Sequence, residues 1–446
     1  MPENDTVSFR RNIPVRHNVD VFVAGGGPAG VAAAVTAARQ GRSVFMAEGH
    51  TCFGGMGTAG LVPAFMQFTD QVNFLAGGVG REVHERLFDA YGVGPQDRRD
   101  DKWGSMGIKA EVLKRVYDDM VADSKADFSF QTQLIDVQVK GQRVTAAVCA
   151  AKSGIFAVQA RIYIDCTGDG DLAAWAGAPF EKGDKDGNLM PGSLCSVWAN
   201  VDWKTVCEKN RWAQPALPQA IKDGVFTVPD FHLPGFWQIG DNIGGGNIGH
   251  TFGVDNTDER SATKALQWGR KLTLEYERFL KNYQKGYEKM ELVATGSLLG
   301  IRETRRVMGD YVLNLEDFTK RAVFEDEIGR YAYPVDIHQS KPGEAGFKKL
   351  VEEMRATSFG PGESYGIPYR SLVPKKLKNV LVAGRCLSAD RYVQGSVRCM
   401  PGCFITGQAV GMAAAIAAEK SVETRDVQPK ELQARLKKVG AYLPNA

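Results

Sequence analysis

One stretch near the start of the chain, residues 20–48 (DVFVAGGGPAGVAAAVTAARQGRSVFMAE), constrains the fold more than any other. Its apolar run at 20–24 predicts a buried strand, and the Ala-rich segment that follows predicts a helix. A second apolar run at 43–47 predicts another strand, which ends at Glu48. The turn between the first strand and the helix contains three glycines with G-x-G-x-x-G spacing, Gly25, Gly27 and Gly30. This order of strand, glycines, helix, strand and carboxylate predicts a unit that binds an adenine dinucleotide.

Each glycine in this unit has its own physical role. Gly25 permits the tight turn, Gly27 lets the backbone approach a pyrophosphate, and Gly30 lets the helix pack against the sheet. The amides at the N-terminus of the helix point toward the anion, and the helix dipole favours its negative charge. Glu48 stands about 20 residues beyond the glycines, where it can accept hydrogen bonds from ribose hydroxyls.

Composition and charge limit the classes of protein to consider. The chain has 446 residues, which is too long for one ordinary core, so we expect more than one domain. Its 55 Lys and Arg residues nearly balance 52 Asp and Glu residues, and the net charge of +3 argues against a nucleic-acid partner. No run approaches the roughly 20 apolar residues of a membrane span, and the N-terminus is polar, so we expect no membrane partner.

The cysteines carry little functional information. Eight are scattered along the chain, and none forms a C-x-x-C pair. The spacings of zinc sites, iron–sulfur clusters and redox disulfides are therefore absent, and we expect no metal site. Scattered thiols are typical of a reducing compartment, so a cytoplasmic location is predicted.

Two later segments repeat parts of the first pattern. Residues 160–164 predict a strand that runs into a Gly-rich junction at 165–170 (DCTGDG). Residues 379–383 predict another strand, and a small-residue helix begins near residue 402. Elements of one nucleotide-binding domain thus occur at both ends of the chain, with a different pattern between them.

These positions predict an α/β fold with a Rossmann-like, discontinuous nucleotide-binding domain. Its first part is placed at 19–177, with a helical excursion at about 65–105. An inserted α+β domain that covers the substrate is placed at 178–371, and the last part of the nucleotide-binding domain at 372–446.

Several motifs together resemble a known family. GGGPAG with Glu48, FGGM, IDCTGDGDLAA and LVAGRCLSA followed by MPGC and GQAVG are similar to the FAD-dependent oxidoreductases of the glutathione-reductase-like superfamily. GIRETRR at 300–306, the D-x-H triplet at 336–338 and IPYRSLVP at 367–374 resemble a bacterial group within it, known as the FAD-dependent oxidoreductase family. The resemblance covers about residues 19–420 and implies that the cofactor is FAD.

The resemblance also implies where FAD would bind. The residues implied at the pyrophosphate and the adenosine are Gly25, Gly27, Pro28, Ala29, Gly30, Glu48, Val137, Thr167 and Gly168. Those implied beside the ribityl chain and the flavin ring are Gly54, Gly55, Met56, Gly384, Arg385, Gly402, Cys403 and Phe404. At the last three, amides of a helix N-terminus would stabilise the negative charge that a reduced flavin carries at N1 and O2.

Histidines offer candidates on the substrate side. His250 follows a Gly-rich segment of the inserted domain, and it would suit the role of general base at neutral pH. The alternative is a loop histidine held by local hydrogen bonds. His338 is expected to be structural, and His232 carries no functional pattern. Residues 244–249 (GGGNIG) lack the flanking strand and helix of a second dinucleotide site, so no separate NAD(P) domain is expected.

Arginines offer the other candidates. Arg302, with Arg305 and Arg306 beside it, could bind a substrate carboxylate through bidentate hydrogen bonds. An internal ion pair with Glu303 is the alternative. Arg398 is a second candidate of the same kind, so the predicted catalytic residues are His250, Arg302 and Arg398.

The favoured hypothesis is oxidation of a small organic substrate by hydride transfer to flavin N5. The donor would be a C–H bond of an alcohol, a hydroxy acid, a sugar-like compound or an amine, and the electrons would pass to oxygen or to a separate acceptor. An alkene reductase or desaturase of the fumarate-reductase type stays open, as does a flavoprotein subunit that only transfers electrons. A homo-oligomer also stays open.

Overall fold

The computed structural model describes residues 7–92, 102, 104–209, 213–233 and 235–446. Its strands are β1 (Val15–Ala24), β2 (Val44–Ala47), β3 (Ala64–Phe65), β4 (Met106–Gly107), β5 (Asp127–Ser129), β6 (Gln133–Lys140), β7 (Arg143–Ala151), β8 (Gly154–Asp165), β9 (Phe180–Lys182), β10 (Ser196–Ala199), β11 (Gly235–Gln238), β12 (Gly244–Asn247), β13 (Glu291–Thr295), β14 (Arg305–Val307), β15 (Glu327–Tyr331), β16 (Tyr365–Pro368) and β17 (Val380–Val382). Its α-helices are α1 (Pro28–Arg39), α2 (Val79–Ala90), α3 (Ala110–Ser124), α4 (Asp171–Trp175), α5 (Trp203–Lys209), α6 (Leu217–Lys222), α7 (Glu259–Tyr283), α8 (Leu315–Thr319), α9 (Glu344–Ala356), α10 (Arg391–Val397), α11 (Met400–Lys420) and α12 (Pro429–Lys438). Part of the predicted helical excursion, at 93–101 and 103, lies outside the described residues.

The central sheet joins both ends of the chain. Its strand order is β5-β2-β1-β8-β7-β6, and β17 pairs with the last residues of β8. Strands β1, β2, β5, β8 and β17 are parallel, whereas β6 and β7 form an antiparallel hairpin. The predicted α/β class is confirmed, and the sheet is discontinuous in sequence because β17 returns to it from the C-terminal region.

Four parallel strands end at one level of this sheet. Ala24 of β1 pairs with Ala47 of β2 and with Asp165 of β8, and Asp165 also pairs with Val382 of β17. The loops that follow these strands begin with Gly25, Glu48, Cys166 and Ala383. Open α/β sheets bind their ligands at this carboxyl edge, so the register brings distant glycine-rich segments to one place.

Helices α1 and α11 pack in backbone contact on one face of the sheet. A Cβ atom at Gly407 would lie 2.2 Å from the carbonyl oxygen of Ala29, and one at Gly411 would lie 2.4 Å from that of Ala33. Gly30 packs in the same way, because its Cβ would lie 1.8 Å from the carbonyl oxygen of Gly25. These contacts hold the N-terminus of α1 at the carboxyl edge.

Helix α11 is apolar along its whole length. It is long and apolar enough to cross a membrane by length and composition, and its apolar window is entirely buried in the fold. Its side chains pack with those of α1 and of β15 in the largest apolar cluster of the described residues. The predicted small-residue helix that begins near residue 402 is confirmed.

A second unit stands apart from the central sheet. Strands β10 to β13 form an antiparallel sheet with the order β11-β12-β10-β13. The helix α7 packs on it through Leu272, Tyr276 and Phe279, which share a cluster with Trp198. The GGG of β12 lies inside this antiparallel sheet, as expected for a segment that is not a second dinucleotide site.

The apolar cores divide the chain differently from the predicted boundaries. The cluster of the second unit takes its buried members from 198–290. Buried side chains of 313–373 belong instead to the cluster of α1 and α11. The hairpin of β15 and β16 packs there because its buried faces are covered by α11. The boundaries at 177 and 371 themselves stay predictions.

The contact between α1 and α11 can be tested at Gly411. Alanine is favoured over glycine inside a helix by about 0.5–1 kcal/mol, but the overlap with the carbonyl oxygen of Ala33 should outweigh this gain. We expect Gly411→Ala to lower the free energy of unfolding by about 1–3 kcal/mol in urea denaturation. Glu419→Gln, at an exposed position of the same helix, should change it by less than about 0.5 kcal/mol. A more stable Gly411→Ala protein would contradict the close packing.

Candidate active site

A cavity of about 540 Å³ lies at the carboxyl edge of the central sheet and extends to the second unit. The loops after the strands line one region, which we call the nucleotide part and which includes Gly27, Glu48 and Gly168. We call the other region the histidine part, and we define it by five side chains: His232, Arg302, Asp336, His338 and Arg398.

The nucleotide part fits FAD. Gly25 has a φ of +88°, and a Cβ atom there would lie 2.6 Å from the carbonyl oxygen of Cys166. A Cβ atom at Gly27, by contrast, would meet no atom within 4 Å, so this backbone borders open space at the N-terminus of α1. The first amides of a helix have no partner within the helix and attract anions such as a pyrophosphate.

The Glu48 side chain forms part of the wall of the nucleotide part. One carboxylate oxygen accepts from the Gly26 amide at 2.6 Å, and the other accepts from the His50 amide at 2.8 Å. These bonds hold an otherwise buried carboxylate beside the cavity, where it can accept from hydroxyl groups.

Most of the implied cofactor residues line the cavity. Those that do are Gly25, Gly27, Pro28, Ala29, Glu48, Gly55, Met56, Thr167, Gly168, Gly384, Arg385 and Cys403. Those outside the lining are Gly30, Gly54, Val137, Gly402 and Phe404. The first set comes from loops at the carboxyl edge and from the first turns of α1 and α11, and the second set has packing roles.

The residues outside the lining have identifiable contacts. Gly54 adopts a φ of +101° in the turn before Met56, which itself lines the cavity. Val137 packs into the apolar cluster of β7 and β8, and 132–134 line the cavity in its place. Phe404 packs against Phe65, and a Cβ atom at Gly402 would lie 2.4 Å from a carbonyl oxygen of α10. The side chains of Val137 and Phe404 pack in the core, and the implied contacts of their backbone with FAD stay predictions.

An ion pair that the sequence did not suggest joins two loops of the nucleotide part. Arg385 donates to Asp169 at 2.6 Å, to the carbonyl oxygen of Gly168 at 3.0 Å and to that of Ile301 at 3.2 Å. Burial opposes ionisation of Asp169, but the Arg385 guanidinium and the Thr304 hydroxyl hold the pKa of its carboxyl below the usual range. Arg385 therefore fixes the loop after β8 to the loop after β17.

A row of hydrogen-bonded side chains forms the wall of the histidine part. Asp230 contacts His250 Nδ1 at 2.8 Å, and His250 Nε2 contacts His338 Nδ1 at 2.8 Å. His338 Nε2 contacts Asp336 at 3.1 Å, and Arg398 donates to Asp336 at 3.2 Å. The row brings together residues that are far apart in sequence.

The two carboxylates of the row are held in their ionised form. Burial opposes ionisation of both carboxyls, but the neighbouring His250 and His338, with Arg398, hold the pKa values of Asp230 and Asp336 below the usual range. Asp336 accepts from Arg398 and also contacts His338. Burial and the Arg302 charge lower the pKa of His338 well below its usual value, so the His338 ring is held by its hydrogen bonds and not by an added proton.

His232 is the histidine of this wall with a free nitrogen. Its ring stacks on His338 with centroids 4.7 Å apart, and its buried Nδ1 has no hydrogen-bond partner among the described residues. Burial, with the nearby His250, lowers the pKa of His232 to about 3, so the ring is neutral at ordinary pH. A neutral imidazole with a free lone pair can accept a proton.

The predicted catalytic residues are only partly in place. Arg302 and Arg398 line the cavity, but His250 is 1% exposed and lies behind His338. The prediction of His250 as the base in contact with substrate is corrected, because His338 covers it. His232 and His338 line the cavity instead, contrary to expectation. The D-x-H triplet was the available signal for His338; nothing in the sequence marked His232.

The other arginines of the GIRETRR motif are paired within the protein. Arg305 donates to Asp171 at 2.6 Å, and Arg306 forms a short hydrogen bond with Glu303. Of the three arginines considered for a carboxylate clamp, only Arg302 lines the cavity. The internal ion pair with Glu303 is therefore made by Arg306.

Two thiols in the lining are unreactive at neutral pH. Burial raises the pKa values of Cys195 and Cys403 to about 12, so both stay protonated. The nucleophilic form of cysteine is the thiolate. Neither thiol is therefore suited to covalent catalysis.

The histidines could also be considered as metal ligands. Nitrogen atoms of His232, His250 and His338 lie within 4.8 Å of one another. The 2.8 Å between His250 and His338 is, however, a hydrogen-bond distance. Two ligands of a tetrahedral zinc ion, each about 2.05 Å from it, would be about 3.3 Å apart. A hydrogen bond between the two rings therefore fits this distance better than a metal ion bound by both rings.

The absence of a required metal can be tested with a chelator. We expect dialysis against EDTA, followed by metal-free buffer, to leave FAD content and thermal stability unchanged, because a proton joins His250 to His338. Metal content per chain should stay well below one by elemental analysis. Stoichiometric zinc, iron or manganese that EDTA removes with a loss of stability would contradict this expectation.

The nucleotide part can be tested at Gly27. Gly27→Asp places a carboxylate in open space at the N-terminus of α1, where it should repel a pyrophosphate and weaken FAD binding by more than about tenfold. Gly27→Ala should retain FAD. Both variants should keep the circular dichroism of the parent, and FAD retention is measured by the flavin absorbance per chain. Full retention in Gly27→Asp would contradict the placement.

Comparisons with solved structures find similarity at low identity only. It is similar to a geranylgeranyl bacteriochlorophyll reductase-like protein from Thermoplasma acidophilum, with 13% identity, a TM-score of 0.47 and coverage of 95% of this chain and 83% of that one. The p-nitrophenol 4-monooxygenase PnpA from Pseudomonas putida DLL-E4 is 11% identical, with a TM-score of 0.48 and coverage of 95% of this chain and 86% of that one. The myxobacterial chondrochloren halogenase CndH is 10% identical, with a TM-score of 0.46 and coverage of 95% of this chain and 79% of that one. Likeness at this level identifies no substrate.

The family is shown by the sequence. No curated protein matches the chain. The family model described as FAD dependent oxidoreductase matches residues 20–436, nearly the whole chain. The matched range includes the glycines that border the nucleotide part of the cavity. The chain therefore belongs to the FAD dependent oxidoreductase family, and it is an oxidoreductase whose cofactor is FAD.

Proposed function

We propose that this enzyme oxidises a small organic substrate at a C–H bond next to a hydroxyl or an amine, with His232 as the proton acceptor. Bound FAD supplies an acceptor for two electrons. The observation that carries the proposal is the neutral imidazole of His232 in the cavity lining, stacked on His338 of the hydrogen-bonded row. The assignment to the glutathione-reductase-like superfamily belongs to the same proposal and is supported by the motifs of the central sheet.

His232 suits this role by position and by charge. Oxidation of an alcohol releases a hydride from carbon and a proton from oxygen, and the proton needs an acceptor within hydrogen-bond reach. His232 lines the cavity and is neutral, so its lone pair is available. The stacked His338 restricts the orientation of its ring.

His250 and His338 act as positioning residues in this proposal. Both nitrogens of each ring already have partners, so neither ring has a lone pair to offer the substrate. Both rings lie between the ionised carboxylates of Asp230 and Asp336, which orient them. The row thus holds in place the side chains that the substrate hydroxyl would contact.

The alternative of an alkene reductase rests on the arginines. Such an enzyme needs an acid beside the double bond and cations that bind the substrate carboxylates. Arg302 and Arg398 are available in the cavity for these roles, whereas Arg305 and Arg306 are paired elsewhere. The neutral imidazole of His232 in the cavity lining favours oxidation over this alternative.

The remaining partners are part of the proposal. The substrate is a small molecule, because the cavity of about 540 Å³ must also hold the flavin end of the cofactor. Oxygen or a separate carrier would take the electrons. We propose a cytoplasmic enzyme without nucleic-acid or membrane partners, as the charge and cysteine patterns suggest, and we leave a homo-oligomer as the state to test.

The role of His232 can be tested by the rate of flavin reduction. The holoenzyme is mixed anaerobically with pools of alcohols, hydroxy acids, sugars and amines, and bleaching of the flavin band is followed. We expect His232→Gln to slow bleaching by about 10²–10⁴-fold, the usual contribution of a general base, with FAD content unchanged. His17→Gln, outside the cavity lining, should keep the parent rate.

Three outcomes would contradict the proposal in different ways. An unchanged rate in His232→Gln would remove this residue from the mechanism. Reduction only by an external donor, followed by reoxidation by an enoate, would favour the alkene reductase. A flavin that no small molecule reduces or reoxidises would favour an electron-transfer subunit.

A further inference from the structure

We propose that the substrate is an organic acid, and that Arg302 and Arg398 bind its carboxylate in the histidine part of the cavity. This inference rests on the proposed oxidation and names the substrate class of that same site. The charged side chains of the nucleotide part are paired within the protein, whereas Arg302 in the histidine part has only neutral partners.

The charges of the nucleotide part are matched within the protein. Asp169 pairs with Arg385 at 2.6 Å, and Asp171 pairs with Arg305 at 2.6 Å. Glu48 is held by two backbone amides. A ligand therefore meets no unpaired side-chain cation there among the described residues.

Arg302 has no such ion-pair partner among the described residues. It is 5% exposed, and its guanidinium donates to the carbonyl oxygen of Pro191 at 2.9 Å, to the Ser193 hydroxyl at 3.0 Å and to the Asn247 side chain at 3.2 Å. All three partners are neutral. Within the described part of the chain, no carboxylate approaches Arg302 to ion-pair distance.

Arg398 shares the one carboxylate of this wall. Asp336 accepts from Arg398 at 3.2 Å and from His338 at 3.1 Å, so a single negative charge serves two donors. The Nε of Arg398 is buried and has no partner among the described residues. Two guanidinium groups in the cavity wall thus face one carboxylate.

A buried cation without a counter-ion is unfavourable, because water no longer solvates it and no anion replaces the water. Burial and the charge of Arg398 lower the pKa of Arg302 to about 10, yet the guanidinium stays charged at neutral pH. An anion that enters the cavity would relieve this strain between like charges. A guanidinium binds a carboxylate particularly well, since its planar donors match the two oxygens.

The same anion would improve the proposed base. Arg302 is among the charges that lower the pKa of His232, after burial and His250. A carboxylate bound to Arg302 would offset that charge and raise the pKa of His232 toward the working pH, where a general base is most effective. Substrate binding and proton acceptance are thereby linked.

The chemistry balances with groups already named. The substrate carbon loses a hydride, which carries two electrons to FAD, and the hydroxyl or amine loses a proton to His232. A C=O or C=N bond forms between these atoms, and the carboxylate is unchanged. A hydroxy acid would therefore give an oxo acid, and an amino acid would give an imino acid.

The first test compares acids with their uncharged amides. Anaerobic flavin reduction is measured with 2-hydroxy acids and 2-amino acids of three to six carbons, and with the primary amide of each. We expect the rate constant divided by the apparent dissociation constant to be about 100-fold higher for the acids, as for loss of a buried charge partner. Equal values for acid and amide would overturn the inference while leaving the proposed oxidation intact.

The second test uses Arg398 and a probe that cannot be oxidised. 2-Hydroxy-2-methylpropanoate has the carboxylate and the hydroxyl but no C–H bond on that carbon, so it reports binding alone. Its binding is followed by the absorption change of the oxidised flavin and by the melting temperature of the protein. We expect Arg398→Gln to weaken binding at least tenfold and Arg398→Lys to weaken it less, with FAD content unchanged.

Arg391→Gln is the matched control. Arg391 is a partly buried guanidinium that pairs with Glu303 at 3.1 Å and lies outside the cavity lining. This control should bind the probe as the parent does. Since Arg302 is almost fully buried and its replacement could unfold the chain, Arg398 carries the test.

The remaining outcomes separate the two proposals. If no compound reduces the flavin but the probe binds in an Arg398-dependent way, the oxidation proposal fails and the anion site stands. If the probe does not bind, or binds equally to Arg398→Gln, the anion site is overturned. A variant whose flavin spectrum shifts without any change in probe affinity would assign the arginine to the cofactor and also overturn the inference.

Discussion

The site depends on the register of the central parallel sheet. Pairing of Ala24 with Ala47 and Asp165, and of Asp165 with Val382, makes four strands end at one level. Every loop that lines the nucleotide part starts from that level. A shift of one residue in any strand would turn its side chains to the opposite face and move its loop along the edge. The close contact of α1 with α11 then holds the helix N-terminus against this edge.

Burial gives the histidine part its chemistry. Asp230 and Asp336 lie in the interior, and they stay ionised because neighbouring histidines and Arg398 compensate them. The same burial keeps His232 neutral and leaves Arg302 without a counter-ion. Among the described residues, this wall thus leaves one guanidinium with neutral partners only. The carboxylate of the proposed acid substrate would be the partner of that guanidinium.

Sequence reasoning located part of the cavity lining where a local backbone pattern restricts the residue type. Gly25, Gly27, Gly168 and Gly384 line the cavity, and each was marked by a tight turn or a close approach. Sequence reasoning did not place side chains in three dimensions. His250 was predicted to contact the substrate, yet it lies behind His338. His232 was missed because a lone histidine in a loop has no pattern.

The sequence by itself determined the nucleotide-binding unit, the discontinuous α/β sheet and the identity of the cofactor, because these follow from short motifs whose geometry is local. Only the tertiary structure decided which of His232, His250 and His338 faces the cavity, and which arginines stay unpaired. Those choices depend on contacts between segments as far apart as residues 230 and 398. The energy of a buried charge depends on all its neighbours at once, and no stretch of sequence contains them.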